Sequence, residues 1–171
     1  MMGCKLFESV SRRIERYEEE MVRLQMQLTA IPAIAPESGG DGEAQKAEFL
    51  KRFLNQAGFQ HILQLDAPDP RTSTGLRPNL IVRCGVQGAA RTVWIMSHMD
   101  IVPPGEASLW HSDPYQAYVS EGKIYGRGVD DNQQDLVASL FAAKACLDEG
   151  IALPNQIGLL FVADEETASQ Y

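Results

Sequence analysis

Two apolar runs limit the folds open to this chain. Gln156 to Ala163 is almost entirely apolar, and Val93-Trp94-Ile95-Met96 is the middle of a second run from Arg91 to Ser97. Runs of this length, bounded by turn residues, read as strands. A strand apolar on both faces needs cover on both, and helical periodicities surround these two. An α/β layer protein is expected: a mixed, mostly parallel sheet, buried and flanked by helices.

The flanking elements follow from spacing. Leu6, Phe7, Val10, Ile14, Tyr17, Met21, Leu24 and Leu28 recur at three- and four-residue steps, which predicts one long amphipathic helix ended by Pro32 and Pro36. The pattern does not persist beyond Leu28, so a helix laid on a sheet is favoured over a coiled coil. A second helix carries Ala47, Leu50, Phe53, Leu54 and Ala57, with Gly58 as its stop. Gln60 to Leu65 reads as a strand, and Ala67 to Pro78 as a surface loop. Asn79 to Val86 and Arg91 to Ser97 are β-rich and read as a hairpin or as neighbouring strands. Tyr115–Val119 and Lys123–Tyr125 flank Glu121-Gly122, a hairpin turn. Leu136 to Leu147 is an Ala-rich helix closed by Gly150.

Composition narrows the function classes. The chain has 171 residues and a formal charge of -8. That balance argues against nucleic acid as a partner, because phosphate binding wants clustered Lys and Arg. No apolar run reaches membrane-spanning length, and the N-terminus lacks the apolar core of a signal peptide. Cys4, Cys84 and Cys146 are scattered, with no Cys-x-x-Cys pair. They read as apolar fillers in a reducing compartment, so a cytoplasmic location is expected.

The chemistry-bearing residues follow the strands. His98 and Asp100 lie just past the run ending at Ser97. Residues two apart in extended chain point the same way, so Asp100 can hold one imidazole nitrogen and make the other a better metal donor. Asp130 and Asp131 follow Gly126-Arg127-Gly128, and an aspartate there is suited either to cap the next helix or to bind a cation. Glu165 and Glu166 follow the second apolar run. Adjacent carboxylates beside an apolar strand are costly unless paired, metal-bound or solvated in a loop. In a metal hydrolase one would coordinate while the other takes a proton from water. The histidine favours zinc, manganese or cobalt over magnesium. No phosphate cradle ending in Lys and Ser or Thr occurs, and no Gly-x-Ser-x-Gly elbow.

These clusters, in this order, resemble the zinc-dependent aminoacylase and carboxypeptidase superfamily, which includes acetylornithine deacetylase and succinyl-diaminopimelate desuccinylase. The resemblance runs through Ile31-Pro32, Ser97-His98-Met99-Asp100-Ile101-Val102-Pro103, Trp110-His111-Ser112-Asp113-Pro114-Tyr115, Gly122 to Gly128, and Asp164-Glu165-Glu166-Thr167. It implies a zinc-peptidase-like fold and two zinc ions, with cobalt or manganese as substitutes. His98 is similar to a ligand of one metal, Asp131 to the carboxylate bridging both, and Glu166 to a ligand of the second. Asp130 stands one position early and ranks behind Asp131. Asp100 resembles the aspartate that orients the histidine, and Glu165 the general base. The implied reaction is amide hydrolysis of an N-acyl amino acid, with a short peptide as the alternative substrate.

Two departures stand out. Where the family carries x-Lys-Gly after the bridging aspartate, this chain has Asn132-Gln133-Gln134. The family's remaining acidic ligand, its distal histidine and its lid or dimerisation domain would all come later than Tyr171. Residues 1–171 are therefore expected to be the N-terminal portion of a catalytic domain, inactive alone. The alternatives are a dipeptidase or carboxypeptidase, or a truncated non-catalytic fragment. The full-length parent is expected to form a homodimer.

Overall fold

The computed structural model describes residues 2–86 and 88–171, with side chains described from residue 5 onward. Helices α1 (Met2–Glu15), α2 (Glu18–Thr29) and α3 (Ala44–Gln56) precede strands β1 (His61–Pro68), β2 (Leu76–Cys84) and β3 (Thr92–His98). A short hairpin, β4 (Tyr118–Ser120) and β5 (Lys123–Tyr125), comes next, followed by α4 (Gln134–Asp148) and β6 (Gln156–Val162). The hairpin turns at Glu121 (φ 51) and Gly122 (φ 73), the paired left-handed residues of a two-residue loop.

The four-stranded sheet has the order β1-β2-β6-β3. It is mixed, but the expected mostly parallel balance does not hold. Only β3 and β6 run parallel, while β1 pairs β2 and β2 pairs β6 antiparallel. The connection from β1 to β2 spans only residues 69–75, and so short a link can join only antiparallel neighbours. The predicted loop from Ala67 to Pro78 is accordingly shorter than expected. β2 and β3 are not neighbours either, because β6 inserts between them.

The single long N-terminal helix is in fact two. Arg16 and Tyr17 make i→i−3 backbone bonds to Arg13 and Ile14, which tighten the turn and break the α-helical ladder. Tyr17 is buried at this break, its ring 5.2 Å from that of Phe141 and its hydroxyl donating to Asp148 at 2.5 Å. Bending there lets both helices follow the core.

One face of the sheet makes that core. Leu80 and Val82 of β2 lie opposite Phe161 and Leu159 of β6, and all four are fully buried against α2, α3 and α4. Burying each such side chain contributes roughly 1.5–3 kcal/mol. Among the described residues, none covers the other face or the β3 edge. Val93 is 54% exposed and Met96 65%, with Trp94 and Ile95 also exposed. The expectation of a buried β3 is thus corrected for the described residues, in which β3 is an edge strand. Cys84 is buried and Cys146 half-buried, both as free thiols. The side chain of Cys4 lies outside the described residues.

Candidate metal centre

Parallel neighbours end at the same rim of a sheet, and this places the first two clusters. His98 is level with Val162 in the β3–β6 ladder, so the chain beyond each strand emerges at the same point. The backbone N–H of Met99 donates to Val162 O at 2.8 Å and keeps the two exits together. The third cluster arrives through α4. This helix connects β3 to β6 and must run back along the sheet, so it starts at the carboxyl rim. Asp131 sits on the turn just before it.

That turn depends on Gly128. Its φ is +81°, and a Cβ there would lie 2.5 Å from Ile101 Cγ2 and 2.6 Å from Gln133 Nε2. Only glycine fits both constraints. Asn132 then ties the turn to β3, its Oδ1 accepting the His98 backbone N–H at 3.1 Å. Gln133, where a lysine was expected, is buried, with Oε1 accepting from the Thr29 hydroxyl at 3.3 Å. It acts as packing rather than as a charge.

The side chains converge. One ligating atom each from His98, Asp131 and Glu166 all lie within 4.8 Å of one another. His98 Nε2 is 3.2 Å from Asp131 Oδ1 and 3.7 Å from Glu165 Oε2. His98 Nδ1 is 2.9 Å from the Asp100 carbonyl oxygen and 3.4 Å from Asp100 Oδ1. Asp100 is buried, and its carboxylate also accepts the backbone N–H of Glu165 at 3.2 Å and of Glu166 at 2.9 Å. Asp130 points elsewhere and accepts from Gln134 Nε2 at 2.8 Å. His111 is exposed.

The electrostatics follow from these contacts. Burial alone would lower the His98 pKa, but the Asp100 carboxylate outweighs it and lifts the imidazole to about 9. Burial likewise pushes Asp100 up, yet hydrogen bonds from His98 and the two glutamate amides hold its carboxyl below the usual range. Glu166 is raised, first by burial and then by the nearby Asp131 charge. Several carboxylates crowd one imidazole at a partly exposed rim. A divalent cation relieves that repulsion, and an imidazole with carboxylates is a zinc-type donor set.

Sequence reasoning missed Asn132 and a buried charged group under the rim: Glu43, Lys46, Asp69, Arg77 and Asp164. Arg77 beside Pro78, next to an apolar strand, was the available signal. An apolar groove of about 470 Å³ lies elsewhere, between α1, α2 and α4, and is lined by Ile14, Met21, Val22 and Val137. It includes none of the converging residues.

Residues 94–170 match the model of peptidase family M20/M25/M40. A metallohydrolase of Methanocaldococcus jannaschii is 36% identical over 157 residues, which are 90% of this chain and 38% of that protein. A succinyl-diaminopimelate desuccinylase of Cereibacter sphaeroides is 33% identical over 145 residues, 85% of this chain and 34% of that one. Among solved structures, the dipeptidase Dug1p of Saccharomyces cerevisiae superposes with a TM-score of 0.79 at 25% identity, covering 95% of this chain and 36% of that chain. The chain thus spans little more than a third of the length of these relatives.

Proposed function

We propose that this chain, whose residues 94–170 match the model of peptidase family M20/M25/M40, belongs to that family and supplies the N-terminal part of a catalytic domain for metal-dependent amide hydrolysis. The observation that carries the reading is the convergence of His98, Asp131 and Glu166 within 4.8 Å. His98 Nε2 and the carboxylates of Asp131 and Glu166 would hold the zinc ions. When bound, such ions polarise a carbonyl and lower the pKa of water. Cobalt or manganese would serve in zinc's place.

The chain's own residues then have distinct tasks. Asp100 holds Nδ1 of His98, which fixes the tautomer and frees Nε2 to bind metal. Asp100 also grips the Glu165 and Glu166 amides, so both carboxylates are presented to the same spot. Glu165, exposed and 3.7 Å from the imidazole, is placed to take a proton from the attacking water. The same carboxyl returns that proton to the leaving amine.

The substrate we propose is an N-acyl amino acid, in keeping with the desuccinylase relative. The likeness to a dipeptidase supports a short peptide as the second reading. We place the full-length enzyme in the cytoplasm as a homodimer. No helix among the described residues is long and apolar enough to cross a membrane. The test is hydrolysis of N-succinyl and N-acetyl amino acids against dipeptides by the zinc-loaded full-length protein. Acyl substrates turned over faster support the first reading, and dipeptides the second. No turnover of either class refutes both.

A further inference from the structure

Beneath the rim lies a buried ionic cluster that the proposed chemistry does not use. Arg77 of β2 is fully buried. Its Nε and Nη2 donate to the two Glu43 oxygens at 2.6 and 2.5 Å. Nη2 also lies 3.5 Å from Asp164 Oδ1, and Nη1 lies 3.6 Å from Asp69 Oδ2. Glu43 Oε1 in turn accepts the Asp164 backbone N–H at 3.4 Å. Gly42 (φ +73°) brings its backbone close to the arginine, since a Cβ there would sit 3.1 Å from Arg77 Cδ.

Asp164 is the residue through which this cluster reaches the site. Its φ is +63°, a left-handed conformation unusual for a residue with a side chain. Its carboxylate accepts from the Thr167 hydroxyl and from the Gln170 N–H at 2.8 Å, and its carbonyl accepts the Ser169 N–H at 2.8 Å. The chain therefore reverses at Asp164, immediately after β6, and the next two residues are Glu165 and Glu166. A left-handed aspartate persists only where its surroundings over-determine it. Arg77 and Glu43 supply those surroundings from below, as Asp100 does from above.

We propose that Arg77 is a positioning residue: through Glu43 and Asp164 it sets the turn that aims Glu165 and Glu166 at His98. Its consequence for metal binding rests on the reading above, while the positioning itself does not. A guanidinium fork suits this task because it grips one carboxylate with two donors and still reaches the next. A lysine would keep the charge and lose the fork.

The test compares the parent chain with Arg77→Lys by two measurements, amide hydrogen exchange and zinc affinity. We expect the Glu165 and Glu166 amides to exchange at least about tenfold faster in the variant, with the β1–β2 ladder amides unchanged. Zinc affinity should fall by about tenfold or more, the loss typical of outer partners of metal ligands. Glutamate amides within twofold of the parent would overturn the proposal. If Arg77→Lys does not fold, Glu43→Gln decides on the same exchange readout, because it weakens the grip of Arg77 while leaving the Asp164 bonds to Thr167 and Gln170 in place. A parent chain that binds no zinc would sink the metal reading alone, since the exchange measurement judges the positioning by itself.

Discussion

Asp100 accepts the backbone N–H of Glu166 at 2.9 Å, so the residue that contacts the His98 imidazole also anchors the turn that carries Glu165 and Glu166 out of another strand. One buried carboxylate thereby couples both halves of the rim. Asp100→Asn keeps the size but halves the accepting capacity and removes the charge. We expect the His98 pKa to fall from about 9 toward its ordinary value. Zinc affinity should drop roughly 10- to 100-fold. Histidine NMR titration and calorimetry check the two effects.

Metal binding should strengthen with pH. Nε2 of His98 must lose its proton to bind a cation, and the metal-free imidazole keeps it up to about 9. Apparent zinc affinity is then expected to rise by roughly tenfold per pH unit below that value and level off above it. The sign for the metal-free fold is opposite. The raised pKa contributes stability fully below the ordinary 6.5, and that contribution is lost as pH climbs through about 9. A flat affinity profile would mean that His98 is not a ligand.

Gly128→Ala should damage the site more than the fold. The added Cβ meets Ile101 and Gln133 at a left-handed φ, so the turn carrying Asp131 must shift. Zinc affinity is expected to fall at least about tenfold, as for other losses of ligand positioning. Circular dichroism should keep its α/β signature.

The sheet predicts a contrast between two apolar residues. Phe161 is fully buried, and Phe161→Ala should cost about 3–5 kcal/mol in urea unfolding. Met96 is 65% exposed on the edge strand, and in this 171-residue chain Met96→Lys should change stability by no more than about 0.5 kcal/mol.

That contrast marks what the sequence could reveal. Gln156–Val162 and Thr92–His98 look alike as apolar runs, yet β6 is central and β3 is an edge. Local pattern reports that a strand wants cover and is silent on what supplies it. The hairpin at Glu121-Gly122 and the helix ending before Gly150 were legible because turn chemistry is local. The break at Tyr17 was not, because it depends on Phe141 and Asp148, far along the chain. The exits of β3 and β6 carried readable clusters, His98 with Asp100 and Glu165 with Glu166. The cluster around Arg77 stayed hidden, since its partners Glu43, Asp69 and Asp164 come from three separate segments.

Glu165→Gln separates binding from catalysis. The amide keeps the shape and the backbone contact to Asp100 but cannot take a proton. In the full-length protein, kcat should fall about 10²- to 10⁴-fold. Zinc content should stay at the parent level, as measured by atomic absorption.

The central claim is that the imidazole at His98 and the carboxylates of Asp131 and Glu166 grip a divalent cation. Anomalous diffraction from zinc-soaked crystals measures this directly. The account predicts a zinc peak about 2.0–2.2 Å from His98 Nε2 or from an oxygen of Asp131 or Glu166. Zinc bound only at other residues, with these three left bare, would contradict it.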